Sequence, residues 1–254
     1  MVQTRRERGL PESEGNIMRI GIGLQGQGRD LDKLLDLNPD AILIMPESIS
    51  DARWLRQHGW QGEIWLRFYS KDRMSRPGYD QARVDLNYLD YQNDVGITHV
   101  IPDNELNLSG EHNDSPEPWD TEEKDRLIDA WKLEYMRGWD EDPRSDAFTL
   151  EWGALTPRHN PDGYPPDGEY QLLWKSLMAY SSVNLHLYGG QLEWLPSIMS
   201  SLEPQRRAFS VAITETNNAN FIEFCKVVKP YGITDVFWFL WDAEDPAHKA
   251  FDLK

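Results

Sequence analysis

The chain has 254 residues, with Lys+Arg 26 against Asp+Glu 43, a net charge of -17 and a single cysteine. That length suits one domain around one large core. A surface this acidic repels phosphate backbones and anionic lipid, which argues against nucleic acid and membrane partners, and Cys225 alone excludes an internal disulfide.

Residues 1–17, with Arg5, Arg6, Glu7 and Arg8 next to Gly9 and Pro11, lack apolar periodicity and read as a disordered tail before a domain over 18–254. No apolar segment of the kind an export signal needs comes after Arg5 and Arg6. No run approaches the roughly 20 residues of a membrane span. The expected compartment is the cytoplasm.

From Met18 onward, short apolar runs alternate with longer amphipathic segments, the pattern of βα units sharing a parallel sheet. Strands are expected over residues 19–24, 41–45, 63–69, 98–102, 147–151, 183–188, 208–214 and 234–241. Each is continuously hydrophobic, as a strand buried on both faces must be, and Gly59, Gly62, Gly96 and Gly232 stand before strands as helix stops. Helices are expected over 31–37, 51–58, 79–94, 121–139, 169–181, 192–202 and 218–228. Eight strands close a single (β/α)8 TIM barrel of the α/β class. Residues 242–254 are too few for a full eighth helix, so a stub or the N-terminal tail closes the ring. Gly21, Gly23, Gly26 and Gly28 cluster after the first strand without the spacing of a dinucleotide loop.

Barrel active sites lie at the C-terminal ends of the strands. In order those ends hold Gln25, Glu47, Arg67, Asn104 with Glu105, Glu151 with Trp152, His186 with Tyr188, Glu215, and Trp241 with Asp242. Carboxylates and aromatics dominate. Cleavage of a glycosidic bond needs one carboxyl group to protonate the leaving oxygen and a second to attack or to activate water, with rings to stack on sugar faces.

Four segments carry a resemblance: Pro102-Asp103-Asn104-Glu105, His186-Leu187-Tyr188, Ile213-Thr214-Glu215, and the tryptophan-bearing stretch from Trp238 to Trp241. In these the chain resembles clan A of the glycoside hydrolases, whose members carry Asn-Glu at the end of the fourth strand and Glu at the end of the seventh. The resemblance extends from Met18 over nearly the whole chain. It implies a retaining hydrolase acting on oligo- or polysaccharide, with β-linked or other equatorial glycosides favoured and neither cofactor nor metal. Glu215 would be the nucleophile and Glu105 the acid/base, about 5 to 5.5 Å apart, with Asn104 on the sugar 2-hydroxyl.

Supporting residues each have an ordinary alternative. Tyr188 is expected to hydrogen-bond Glu215, or else to be a core aromatic. His186 is a sugar contact or a satisfied buried histidine. Arg67 is placed to orient Glu215, although many families of the clan carry an arginine on the second strand and this one is on the third. Successive strand residues face opposite sides, so one of Trp238 and Trp241 is the stacking floor, and Trp241 is preferred as nearer the strand end. Trp152, like Trp119 and Trp194, falls in or near a loop on that face, either to stack on sugar or to anchor the loop. Residues 107–120 and 156–168 are expected to be substrate-shaping loops.

Two rival functions use the same barrel. In a metal-dependent sugar isomerase or epimerase, Glu47, Glu105, Glu151, Glu215, Asp242 and His186 would ring manganese or magnesium, but only 6 histidines are present and none has a ligand spacing at a strand end. A carbohydrate-binding barrel without catalysis would keep the fold alone. The sequence names neither the sugar, nor internal against terminal attack, nor the oligomeric state.

Overall fold

The computed structural model describes residues 18–24, 30–104, 121–155, 182–188, 192–193, 195–202, 210–216 and 220–238, with the backbone alone at 121–125, 152–155, 182, 197, 201–202 and 210. Its strands are β1 (Arg19–Leu24), β2 (Ala41–Ile44), β3 (Glu63–Arg67), β4 (Ile97–Ile101), β5 (Thr149–Leu150), β6 (Trp152–Leu155), β7 (Ser182–His186), β8 (Ser210–Thr216) and β9 (Ile233–Trp238). The described α-helices are α1 (Leu31–Leu37), α2 (Ile49–Gln57), α3 (Gly78–Tyr91), α4 (Thr121–Asp140), α5 (Leu195–Leu202) and α6 (Phe221–Val228).

All strands pair in parallel in the order β5-β4-β3-β2-β1-β9-β8-β7-β6. The two outer members, β5 and β6, are halves of one strand on either side of Glu151, whose amide donates to the Val100 carbonyl at 2.9 Å. The sheet edges are therefore joined through the chain, and the molecule is a (β/α)8 barrel. Its seventh strand is β8 and its eighth is β9.

Strand alternation divides the apolar residues into two cores. Ile64, Leu66, Val183, Leu185, Val211, Ile213 and Val236 face outward and pack with Leu86, Ile128, Tyr135 and Phe224 of the helices. Ala41, Leu43, Trp65, Ile101, Ala212 and Phe237 fill the barrel. Inside, Trp65 stacks on His99 with ring centroids 4.3 Å apart and meets Phe237 at 5.0 Å. Gly21 makes that filling possible, because a Cβ there would lie 2.3 Å from the Phe237 ring.

Helix ends obey local chemistry. Asp30 caps α1 by accepting from the Lys33 amide at 3.0 Å, and Asn38 ends it with φ 47°. Gly96 and Gly232, with φ 75° and 68°, turn the chain into β4 and β9 in a conformation that side chains resist.

Several expected boundaries move. Residues 147 and 148 do not begin the fifth strand: Ala147 ends a 3-10 helix over Pro143–Ala147, capped by Asp142. The seventh strand runs on to Thr216, past its expected end at 214, so Glu215 lies within it rather than after it. Leu192 and Glu193 form a 3-10 turn ahead of α5. The expected helix over 169–181, the loops 107–120 and 156–168, the tail 1–17 and the closing segment 242–254 lie outside the described residues.

Candidate active site

Glu215 is on β8, and regular alternation would turn it outward with Val211 and Ile213, toward the helices. The ladders show why it turns inward instead. Against β7, Leu185 pairs with Ile213 but His186 pairs with Glu215; against β9, Val236 pairs with Ile213 but Trp238 with Thr216. One extra residue is accommodated in β8 between Ile213 and Glu215, and such a bulge reverses the facing of the residues beyond it. The Leu187 amide donates to the Glu215 carbonyl at 3.0 Å and holds the shifted register.

Among the described residues, three side chains meet the inward carboxylate. Arg67, at the end of β3 and 1% exposed, forms an ion pair through Nη2 with Glu215 Oε1. The Tyr188 hydroxyl, just past β7, donates to Glu215 Oε2. His186 Nδ1 faces the same Oε2 at 3.6 Å, an electrostatic contact longer than a hydrogen bond.

The tautomer of His186 is fixed by its other nitrogen. Arg67 Nη1 lies 3.1 Å from His186 Nε2, and a guanidinium only donates, so Nε2 accepts and the neutral ring carries its proton on Nδ1, toward Glu215. Burial pushes the ring's pKa down to about 4, with Glu215 opposing the shift and the Arg67 charge adding to it. The cluster therefore has one permanent cation, one neutral imidazole and one phenol around a carboxylate that is 4% exposed.

A separate charged layer occupies the opposite end of the barrel interior, where β1 and β3 begin. Arg19 reaches Asp235 and Glu63, each at 2.5 Å. Above it His99 lies 3.8 Å from Glu151. Burial, reinforced by Asp235, holds the Glu151 carboxyl well above the usual carboxylate range. Glu151 thus belongs to the barrel floor and not to the mouth. Among the described residues no group of three or more His, Cys, Asp or Glu is arranged to hold a metal ion.

Solved structures with this architecture include the GH26 domain of an endo-β-mannanase/endo-β-glucanase from Prevotella bryantii, 13% identical, covering 93% of this chain and 88% of that one with a TM-score of 0.56. A curdlan-specific exo-β-1,3-glucanase of family GH128 from Blastomyces gilchristii is 16% identical, with coverage of 93% and 98% and a TM-score of 0.54. A psychrophilic family 10 endo-β-1,4-xylanase is 10% identical, with coverage of 91% and 89% and a TM-score of 0.55. These neighbours are glycoside hydrolases. Their likeness to this chain is one of fold. No protein-family model matches the sequence, and no curated protein matches it.

Of the residues expected at the site, Arg67, His186, Tyr188 and Glu215 come together. Asn104 lies just past β4 on the same end of the barrel and is partly buried. Trp238 points the other way: it shares the outward facing of Val236 and meets Phe221 of α6 edge-on at 5.0 Å. The inward facing on β9 belongs to Phe237, and Trp241 lies outside the described residues, as do Glu105, Gln25 and Asp242. Trp152 is the first residue of β6, with only its backbone described. Glu47 sits in a 3-10 turn over Pro46–Ser48. Sequence reasoning did not single out Asp103 and Lys132, whose buried ion pair lies behind Asn104; an acid inside an otherwise apolar strand end was the available signal.

Proposed function

We propose that the protein is a retaining glycoside hydrolase in which Glu215 attacks the anomeric carbon and Glu105 protonates the leaving oxygen. The observation that carries this reading is the inward turn of Glu215 at the β8 bulge, into contact with Arg67, Tyr188 and His186. The fold shared with glycosidases supports it as well.

The geometry suggests a division of labour. In the first step a Glu215 oxygen bonds to C1 as the C1–O bond to the leaving group breaks and Glu105 gives that oxygen its proton. In the second, water attacks C1, Glu105 takes the water's proton, and Glu215 leaves as carboxylate. Negative charge is consumed on Glu215 and then restored, and the fixed Arg67 and Tyr188 donors receive it without reorganising. A neutral His186 adds no positive charge beside a transition state that resembles an oxocarbenium ion. Asn104 would hold the sugar 2-hydroxyl, and Trp241 and Trp152 supply stacking surface.

For substrate we propose β-linked oligo- or polysaccharide, in keeping with neighbours named for mannan, glucan and xylan. The test is a panel of aryl β-glycosides and natural β-glycans with the first-formed anomer read by NMR. The β-anomer appearing first is the expected result. The α-anomer first, or no cleavage of any member, would contradict the reading, and loss of activity on chelation would favour a metal-dependent isomerase.

A further inference from the structure

Behind the strand end that carries Asn104 lies a buried charge network that the catalytic scheme does not use. Lys132 of α4 is 0% exposed, and its Nζ lies 2.8 Å from Oδ2 of Asp103, itself 1% exposed. Three residues further along the same helix, the Tyr135 hydroxyl donates to Asp85 Oδ2 at 2.8 Å. Asp85 of α3 also takes Arg73 at 2.5 and 3.0 Å and Gln81 at 2.9 Å. Arg73 comes from the connection after β3, where it is enclosed by the rings of Phe68, Trp131 and Tyr135 at 5.3 to 5.9 Å. Helix α4 thus holds two strand exits on the catalytic end: that of β3 through Asp85 and Arg73, and that of β4 through Lys132 and Asp103.

Stability gives little reason for such a pair. Removing two charges from water costs about what their attraction returns, and an apolar pair of similar volume is commonly as stable. What a buried ion pair supplies is placement, because either charge without the other is strongly disfavoured. The helix itself is held closely: a Cβ at Gly78 would lie 2.2 Å from the Trp131 carbonyl oxygen, and one at Gly138 2.5 Å from that of Tyr79, so α3 and α4 cross with their backbones in contact. Lys132 thus reaches Asp103 from a helix packed backbone to backbone on α3.

We infer that the Lys132–Asp103 pair is a positioning device that fixes the exit of β4 and with it the side chain of Asn104, so that Lys132 and Asp103 govern the use of the sugar 2-hydroxyl. The consequence for catalysis rests on the hydrolase reading above; the anchoring of the strand end does not.

The experiment uses the full chain with Lys132→Met and Asp103→Leu combined, which removes both charges and approximates both side-chain shapes, and Lys132→Met alone, which takes the cation from beside Asp103. For the double variant, kcat/KM is measured on an aryl glycoside and on its 2-deoxy analogue. The expected result is that the parent's preference for the 2-hydroxy substrate falls about tenfold or more, since that contact strengthens in the transition state, while the 2-deoxy substrate is cleaved nearly as before. A uniform fall on both substrates, or no fall, overturns the positioning role. Hydrogen exchange is read alongside: the peptide spanning the β4 exit should exchange faster in both variants, most in the single one, with the β8 peptide unchanged. Equal protection at the β4 exit, or a uniform rise everywhere, also overturns it. If the parent cleaves no glycoside, the hydrolase reading fails and the exchange data alone decide the anchoring.

Discussion

Replacing Arg67 by Met tests the charge logic of the site. The guanidinium is 1% exposed and pairs with a carboxylate that is 4% exposed. Without it, Glu215 among the described residues faces the Tyr188 hydroxyl and the more distant His186 Nδ1, neither of them a cation. Breaking a buried pair on one side costs about 3 to 5 kcal/mol, and at roughly 2 to 4 °C per kcal/mol for a chain of this size the melting temperature should fall by about 6 to 20 °C. Glu215→Gln should also destabilise, by stranding the cation. The double variant should cost less than the two single ones added together, with a coupling of about 1 kcal/mol or more. The assay is urea unfolding at pH 7, monitored by far-UV circular dichroism, for all four proteins of the cycle. A single-variant cost below about 1 kcal/mol, with additive effects in the double, would refute the claim that these two groups are held as a desolvated ion pair.

Three further predictions concern single groups. The folded His186 ring, with its pKa at about 4, resists a proton that the unfolded ring takes up below its ordinary 6.5; its contribution to stability is whole above 6.5 and is lost as pH falls toward 4, by about 3 kcal/mol at most, and His186→Gln should flatten the unfolding midpoint over that window. Glu151 is the opposite case: folded, it keeps a proton that the unfolded carboxyl releases above its ordinary 4.5, so stability is lost as pH rises past that value, and Glu151→Gln should raise the melting temperature more at pH 7 than at pH 4. A melting temperature lower than the parent's at pH 7 would count against a protonated Glu151. Deleting Thr214, the extra residue of the β8 bulge, should place Glu215 directly after the outward Ile213 in a regular ladder and so keep it opposite His186 and facing Arg67; activity should stay well above that of Glu215→Ala while far-UV circular dichroism stays that of a barrel, and activity as low as that of Glu215→Ala would show that Thr214 is not the residue the bulge accommodates.

The periodic features of the chain were readable and the local exceptions were not. Continuous apolar runs located all eight barrel strands, because a strand covered by helices on one side and barrel filling on the other has no polar face to betray its period. The same lack of period hid the facing of each residue: nothing in Ile213-Thr214-Glu215 announces a bulge, yet the bulge decides that Glu215 faces Arg67. Nor does the sequence tell that Trp238 faces the helices, which follows only once Phe237 is seen to face inward. The interruption at Glu151 was invisible for a related reason, since a buried acid reads in sequence as a strand terminus when it is in fact a member of the barrel floor. Lys132 looks like one more cation on the solvent side of an amphipathic helix, and only the fold shows it to be fully buried against Asp103.

The central claim is that Glu215 is the nucleophile of a double displacement. Its most direct measurement is the action of Glu215→Ala on the best aryl glycoside of the parent, with and without azide, with the product identified by NMR. The expected result is no turnover without azide and, with it, a glycosyl azide of inverted configuration, the small anion entering where the carboxylate stood. A variant that still hydrolyses the glycoside unaided, or an azide product of retained configuration, would contradict the claim.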